Sequence, residues 1–327
     1  MRKLFFTVFL ALVLSSTCYS ASPSIMYRPG EHTGHGEPYL EEDGDRATEV
    51  QNIRAADKTT SALIGTSENI VFRDSLGKEQ LPDQHTLSIG AEAAISKSVK
   101  TYNIPLSYGL PVNFLKADRE YLNFSLKVPY TSREIGNLND SGLGDIKLSA
   151  DYLTKFDNLL INSVFLIKFA SGDYDDADVP LGTGSTDYGL SVNAKMYFDR
   201  FSIKGGLGYV LTGNYSKKDE KIKYGDEYII SAGGEYNITD YIFAGGEFIY
   251  NAHKEDEYSD PWFKSKYSGL NTFDFIPSFT YLLKKYNLGI TAKVVIPVSD
   301  SWNGGDGPDP KDPDRDLEFK FQLSRPF

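Results

Sequence analysis

The stretch "LEFKFQLSRPF", residues 317 to 327, decides how the rest of the chain is read. On an extended chain Leu317, Phe319, Phe321, Leu323 and Phe327 fall on one side, with Glu318, Lys320, Gln322 and Ser324 on the other. One face calls for apolar surroundings and the other for water. Two environments supply the first: the core of a soluble sandwich, or membrane hydrocarbon with the wet face lining a lumen.

The other end of the chain bears on that choice. "MRKLFFTVFLALVLSSTCYSA" sets Arg2 and Lys3 before an apolar run from Leu4 to Leu14, followed by small polar residues and a cleavage site after Ser20. This is the pattern of a secretory signal peptide over residues 1–20, too short for a membrane-spanning helix. Ser15, Ser16 and Thr17 make a poor lipobox for Cys18, and cleavage after Ser20 removes this single cysteine. A mature chain without disulfides is expected, in a compartment that permits them.

Composition narrows the class further. The 327 residues include 29 glycines, 22 tyrosines and 20 phenylalanines, and mean hydropathy is -0.35. Beyond the leader no run of about 18 apolar residues occurs, which excludes helical membrane spans. Net charge is -11, or -13 once Arg2 and Lys3 leave with the leader, and this acidity argues against nucleic acid as a partner. An aromatic- and glycine-rich chain without helical period suits an all-β fold, and the roughly 240 residues after Gln84 suffice for one barrel.

From Gln84 onward the alternation recurs. Leu122, Phe124, Leu126, Val128 and Tyr130 form one apolar set, Leu190, Val192, Ala194, Met196 and Phe198 another, and Leu288, Ile290, Ala292, Val294 and Ile296 a third. About twelve such segments follow one another. The segment from Ile161 to Phe169 is almost wholly apolar, so its phase is less readable. The stretches "KFDN" (155–158), "FDR" (198–200), "NITD" (237–240) and "KKYN" (284–287) read as tight turns. Between them lie long polar loops such as "SREIGNLNDSG", "SGDYDDADVPLGTGST" and "SKKDEKIKYGDE". Short and long alternate over the last nine strands, as in an up-and-down barrel inserted from one side.

The expected fold is therefore all-β: a transmembrane antiparallel up-and-down β-barrel of about 12 strands over residues 84–327, with short turns periplasmic and long loops outside. Tyr130, Tyr152, Tyr209, Tyr215, Tyr236, Tyr241 and Tyr250 near strand ends would form its aromatic girdles. This topology has a direct check: cysteines at Asp176 or Asp309 should react with impermeant reagents on whole cells, and one at Asn158 should not. The opposite labelling pattern would invert the assignment.

Two resemblances add to this reading. A last strand ending in Phe327 resembles the C-terminal signal by which barrel-assembly machinery recognises outer-membrane proteins. The stretches "SGLGDIKLSADY" (141–152), "FLIKFASGD" (165–173), "LGTGSTDYGLSVNAKMYF" (181–198) and "GGLGYVLTG" (205–213) resemble the outer-membrane transporters grouped under the MetA pathway of phenol degradation. Phe169, Ala170 and Ser171 stand where that family favours Leu-Pro-Thr. The resemblance covers residues 85 to 327 and implies a barrel fold and a transport role.

The inferred lumen face includes Lys127, Asp145, Lys147, Asp151, Lys195, Glu235, Glu247, Lys293, Glu318 and Lys320. Both signs occur in similar number. Such groups either pair across the interior and close it or line a narrow polar channel. Gly142, Gly144, Gly182, Gly184 and Gly189 stand where loops enter strands, and the reading favours a role in shaping the rim. Only four histidines are present; His253 beside Ser231 or Asp274 comes with no catalytic motif, so no enzyme activity is expected. Asp306, Asp309, Asp312 and Asp314 share one acidic loop, but Leu317 stands where an EF-hand-type loop needs glycine. A solvated acidic loop is the reading there; the sharper one is weak divalent-cation bridging to lipopolysaccharide phosphates. No cofactor is expected.

Residues 21–83 are polar and without period, and read as a periplasmic arm or a plug in the barrel mouth. The function expected is passive uptake or efflux of a small organic compound, aromatic by family analogy alone. The rival is a non-conducting structural or adhesion barrel displaying acidic outer loops.

Overall fold

The computed structural model describes residues 85–324, except 90–91, 96–98, 113, 116–118, 136–137, 173–180, 218–219, 256, 259–268, 284–287 and 304–316, together with Phe72–Arg73 and Glu79–Gln80. The leader, most of the arm, Phe327, Asp176, and the acidic residues Asp306, Asp309, Asp312 and Asp314 lie outside the described residues.

Twelve strands follow one another in chain order: β1 in two pieces (Thr86–Ile89 and Glu92–Ile95), β2 (Val99–Val112), β3 (Arg119–Ile135), β4 in two pieces (Leu138–Leu143 and Lys147–Phe156), β5 (Leu159–Lys168), β6 (Asp187–Tyr197), β7 (Phe201–Leu211), β8 (Glu227–Thr239), β9 (Ile242–His253), β10 (Gly269–Leu283), β11 (Leu288–Asn303) and β12 (Glu318–Ser324). Each pairs antiparallel with the next. The last also pairs with the first, from Phe319↔Ile95 to Gln322↔Glu92. Every strand thus has a hydrogen-bonded neighbour on both sides, the arrangement that leaves no long bare edge to recruit another chain.

Burial along these strands runs opposite to that of a soluble protein. On β6, Asp187 and Ser191 are buried while Tyr188, Leu190 and Val192 are exposed; on β8, Glu227 and Ser231 are buried while Tyr228 and Ile230 are exposed. The same holds on β3, where Asn123 and Ser125 are inside and Phe124 and Leu126 outside. Lysine and the acids are rarely buried unless paired, and contiguous large apolar side chains are rarely left on a water-facing surface. The outer surface is organised as well. Tyr188, Tyr209, Tyr228 and Tyr250 gather towards the long-loop end, and Phe156, Phe198, Phe201, Tyr236, Tyr241 and Tyr281 towards the short-turn end. Phe198 and Phe201 stack with centroids 4.4 Å apart.

The tight turns take their form from local chemistry. Phe156 pairs with Leu159, which leaves a two-residue turn in which Asp157 holds φ 45°. Aspartate tolerates this left-handed conformation better than most non-glycine residues. The N–H of Phe198 bonds the Phe201 carbonyl at 2.8 Å, and Thr239 Oγ1 accepts the N–H groups of Tyr241 and Ile242 at 3.2 and 3.1 Å. Residues 284–287 are not described, but their flanks, Leu283 and Leu288, pair.

Two of the long polar loops differ from expectation. The segment 132–142 is a hairpin: β3 runs on to Ile135, and Leu138–Leu143 pairs back on it. A shift of register between Tyr130↔Leu143 and Lys127↔Lys147 makes residues 144–146 a bulge. Asn214–Lys217 likewise pairs with Glu220–Lys223, whose Ile222 and Lys223 meet Tyr258 and Glu257. Beyond an apolar zone water lies on both faces of a strand, so pairing continues without the apolar period that marks it in sequence. In the arm, Phe72–Arg73 pairs with Glu79–Gln80.

Candidate functional site

The glycine-rich stretches of the sequence converge at the long-loop end, on the inner face. Asp145, in the bulge of β4, accepts the N–H groups of Gly172 at 2.9 Å and Thr183 at 2.8 Å, and the Thr183 hydroxyl at 2.8 Å. Lys168, the last residue of β5, donates to Thr183 Oγ1 at 2.6 Å, lies 3.7 Å from Asp145 Oδ2 and pairs with Asp187 Oδ2. Asp187 Oδ1 accepts the Ser185 hydroxyl and the Gly213 N–H, each at 2.9 Å. Tyr224 reaches over to donate to the Thr183 carbonyl at 3.2 Å. All these charged groups are buried, and Lys168 is fully so. A buried ammonium is tolerated only when acceptors surround it, and here two carboxylates and a hydroxyl do so.

Two glycines make that folding-in of residues 181–186 feasible. A Cβ on Gly182 would lie 2.5 Å from Asp145 Oδ1 and 2.8 Å from the Gly172 Cα, and Gly184 holds φ 66°.

Along the inner wall, charges of like sign sit side by side. Lys127 lies opposite Lys147, Lys147 opposite Lys168, Lys195 opposite Lys204, and Lys293 opposite Lys320. Like charges directly across a ladder repel, so carboxylates are needed nearby. Lys195 reaches past β7 to Glu235 at 3.5 Å, Lys204 reaches past β8 to Glu247, and Lys320 meets Glu318 at 3.1 Å. Asp151 accepts from Asn123 Nδ2 at 3.1 Å. Asp274 is buried on the same face. His253 faces Glu227, its cross-strand partner, at 4.0 Å.

Ten residues were expected on the inner face. Asp145, Lys147, Asp151, Glu247, Glu318 and Lys320 are buried there; Lys127, Lys195, Glu235 and Lys293 are half-buried. They do not meet at one point: Asp145 belongs to the long-loop cluster, and the others are spread along the wall.

Sequence reasoning missed Lys168, Asp187 and Glu227, and with them an apolar set inside: Val164, Leu166, Val210, Ile229, Ile249, Ile276 and Val295 form one buried cluster. A smaller one, Tyr121, Leu153, Leu160 and Tyr197, lies towards the short-turn end. The available signal was parity. Val210 stands out of phase with the exposed Leu207, Tyr209 and Leu211, Ile229 with Tyr228 and Ile230, and Ile249 with Phe248 and Tyr250.

Twelve antiparallel strands with an apolar exterior, aromatic ends and a charged, hydrogen-bonded interior define an all-β fold. Among solved structures, an outer-membrane channel from Pseudomonas putida F1 matches with a TM-score of 0.60 at 13% identity, covering 78% of this chain and 100% of that one. The KdgM porin in complex with disordered oligogalacturonate and the NanC porin match more weakly, each with a TM-score of 0.40 at 10% identity, covering 74% and 73% of this chain and 99% and 98% of theirs. The chain belongs to the family described as "Putative MetA-pathway of phenol degradation", whose model matches residues 80–301. No curated protein matches.

Proposed function

We propose that residues 84–327 form a β-barrel spanning a bacterial outer membrane, and that it is a passive channel for uptake or efflux of a small organic compound. The observation that carries this reading is the inverted burial: apolar side chains outward on a ring of paired strands, charges inward. Hydrocarbon accepts the first surface and a lumen the second. The likeness to an outer-membrane channel and the family membership support it. In this reading residues 1–20 are a signal peptide, residues 21–83 lie in the periplasm or the lumen, and Phe327 addresses the barrel-assembly machinery. Outer-membrane lipids and lipopolysaccharide surround the wall.

Single-channel recording in planar bilayers, beside swelling of proteoliposomes in neutral solutes, tests the proposal. A wild-type barrel that passes neither ions nor solutes under any gradient would leave the structural or adhesion reading. Charge at the wall gives a finer expectation. The Lys195→Gln and Lys293→Gln variants should shift the reversal potential towards cation selectivity, because each lysine lost makes a confined, weakly screened lumen more negative. An unchanged reversal potential with a barrel that unfolds more readily would show that these lysines serve pairing alone.

A further inference from the structure

One acid stands on the outward face of the wall and is nevertheless buried. On β3 the even-numbered residues point outward, as the exposed Phe124 and Leu126 show, and Glu120 belongs to that set. Its cross-strand partner on β4, Thr154, shares the outward face with Leu148 and Phe156. Yet Glu120 and Thr154 are only 4% and 3% exposed. What lies over Glu120 is the connection between β2 and β3, at the short-turn end. The backbone N–H groups of Phe114 and Leu115 both donate to its carboxylate, that of Leu115 at 2.7 Å, and the Tyr152 hydroxyl donates to it at 2.8 Å. A carboxylate is costly on a face that meets hydrocarbon, and three donors offset that cost. The same clamp sets Phe114 and Leu115 on the outside. They are 73% and 64% exposed, more than any other large apolar side chain among the described residues, and the Phe114 ring lies 6.2 Å from that of Tyr152.

We infer that Phe114 and Leu115 form an interfacial anchor, seated among the headgroups and upper acyl chains of the phospholipid leaflet on the short-turn side, and that Glu120 is the residue that positions it; this rests on the membrane-barrel reading above. The occupant follows from continuity and level. The pair joins the outward face through Tyr152, at the end of the wall where Phe156, Phe198, Phe201, Tyr236 and Tyr241 gather. Aromatic and apolar side chains settle at that boundary, and adjoining ones are rarely left in water. A connection directed away from the wall would leave Glu120 bare on the outward face and both apolar side chains hydrated. Clamped as it is, the anchor holds the short-turn rim at a fixed depth in the leaflet.

Depth-dependent quenching tests this. With Cys18→Ser in place, Leu115→Cys gives the full chain a single cysteine for a bimane label. The protein is reconstituted into vesicles of phosphatidylethanolamine and phosphatidylglycerol, and heat-modified migration confirms folding. Doxyl-labelled phospholipid serves as one quencher and iodide, present on both sides of the bilayer, as the other. Leu207→Cys on the outward wall and Asp199→Cys in the exposed 198–200 turn are the references. The expected result is lipid quenching at 115 comparable to that at 207, and iodide quenching several-fold weaker than at 199. Adding Glu120→Gln, or the milder Tyr152→Phe should the first not fold, is expected to raise iodide quenching at 115 several-fold and leave that at 199 unchanged. Iodide quenching at 115 equal to that at 199 would overturn the anchor and leave the barrel intact. Protection from both quenchers would overturn lipid as the occupant in favour of a protein cover such as a second copy, and clamp variants without effect would overturn the positioning role of Glu120. Absence of lipid quenching at 207 would overturn the membrane barrel and the anchor with it.

Discussion

Leu207→Arg is expected to destabilise the folded chain by about 2 to 4 kcal/mol in a bilayer or micelle, the cost of a guanidinium on the lipid face near mid-membrane. Leu207 is 63% exposed on the outward face of β7, between Tyr209 and Phe201. On a soluble sandwich such an exposed position would change stability by no more than about 0.5 kcal/mol. The measurement is denaturant-dependent refolding into lipid, read by heat-modified migration. A shift within that smaller range would remove hydrocarbon as the surroundings of this face and with it the membrane barrel.

Lys168→Met is the second large effect expected. Lys168 is buried between Asp145 and Asp187 and bonded to Thr183, so deleting its charge leaves two carboxylates inside with no ammonium between them. Removing one partner of a buried ion pair costs about 3 to 5 kcal/mol. The temperature at which the folded band converts on gels should fall accordingly, and adding Asp187→Asn should recover part of the loss. Because Asp145 and Thr183 tie residues 181–186 to the wall, protease sensitivity in the 170–186 segment should rise as well. A variant with unaltered conversion temperature would show that the triad is not a stabilising element.

Much of the fold was legible because a strand with one apolar and one polar face must alternate, and the alternation is written residue by residue. Leu190, Val192, Ala194 and Met196 read as outward and are exposed. The turns read at 155–158, 198–200 and 237–240 fall within a residue or two of the observed ones, since short connections need residues such as Asp157 that tolerate unusual backbone angles. The ten candidate inner residues are buried or half-buried but do not meet at one site. Their parity is local, while their partners are not.

The sequence by itself determined the strand phases, their approximate number and the inversion of apolar and polar faces, because these depend on period-two chemistry within single segments. Only the tertiary structure decided the rest. β12 meets β1 across more than two hundred intervening residues, and nothing local in either strand encodes that register. Lys195 and Lys204 find carboxylates one strand beyond their neighbours, a choice made by side-chain reach across a curved wall. On β5 both faces are largely apolar, so the inward turn of Val164 and Leu166, the burial of Lys168, and the clustering of Val210, Ile229, Ile249 and Ile276 follow from pairing offsets that exist only once the strands are assembled.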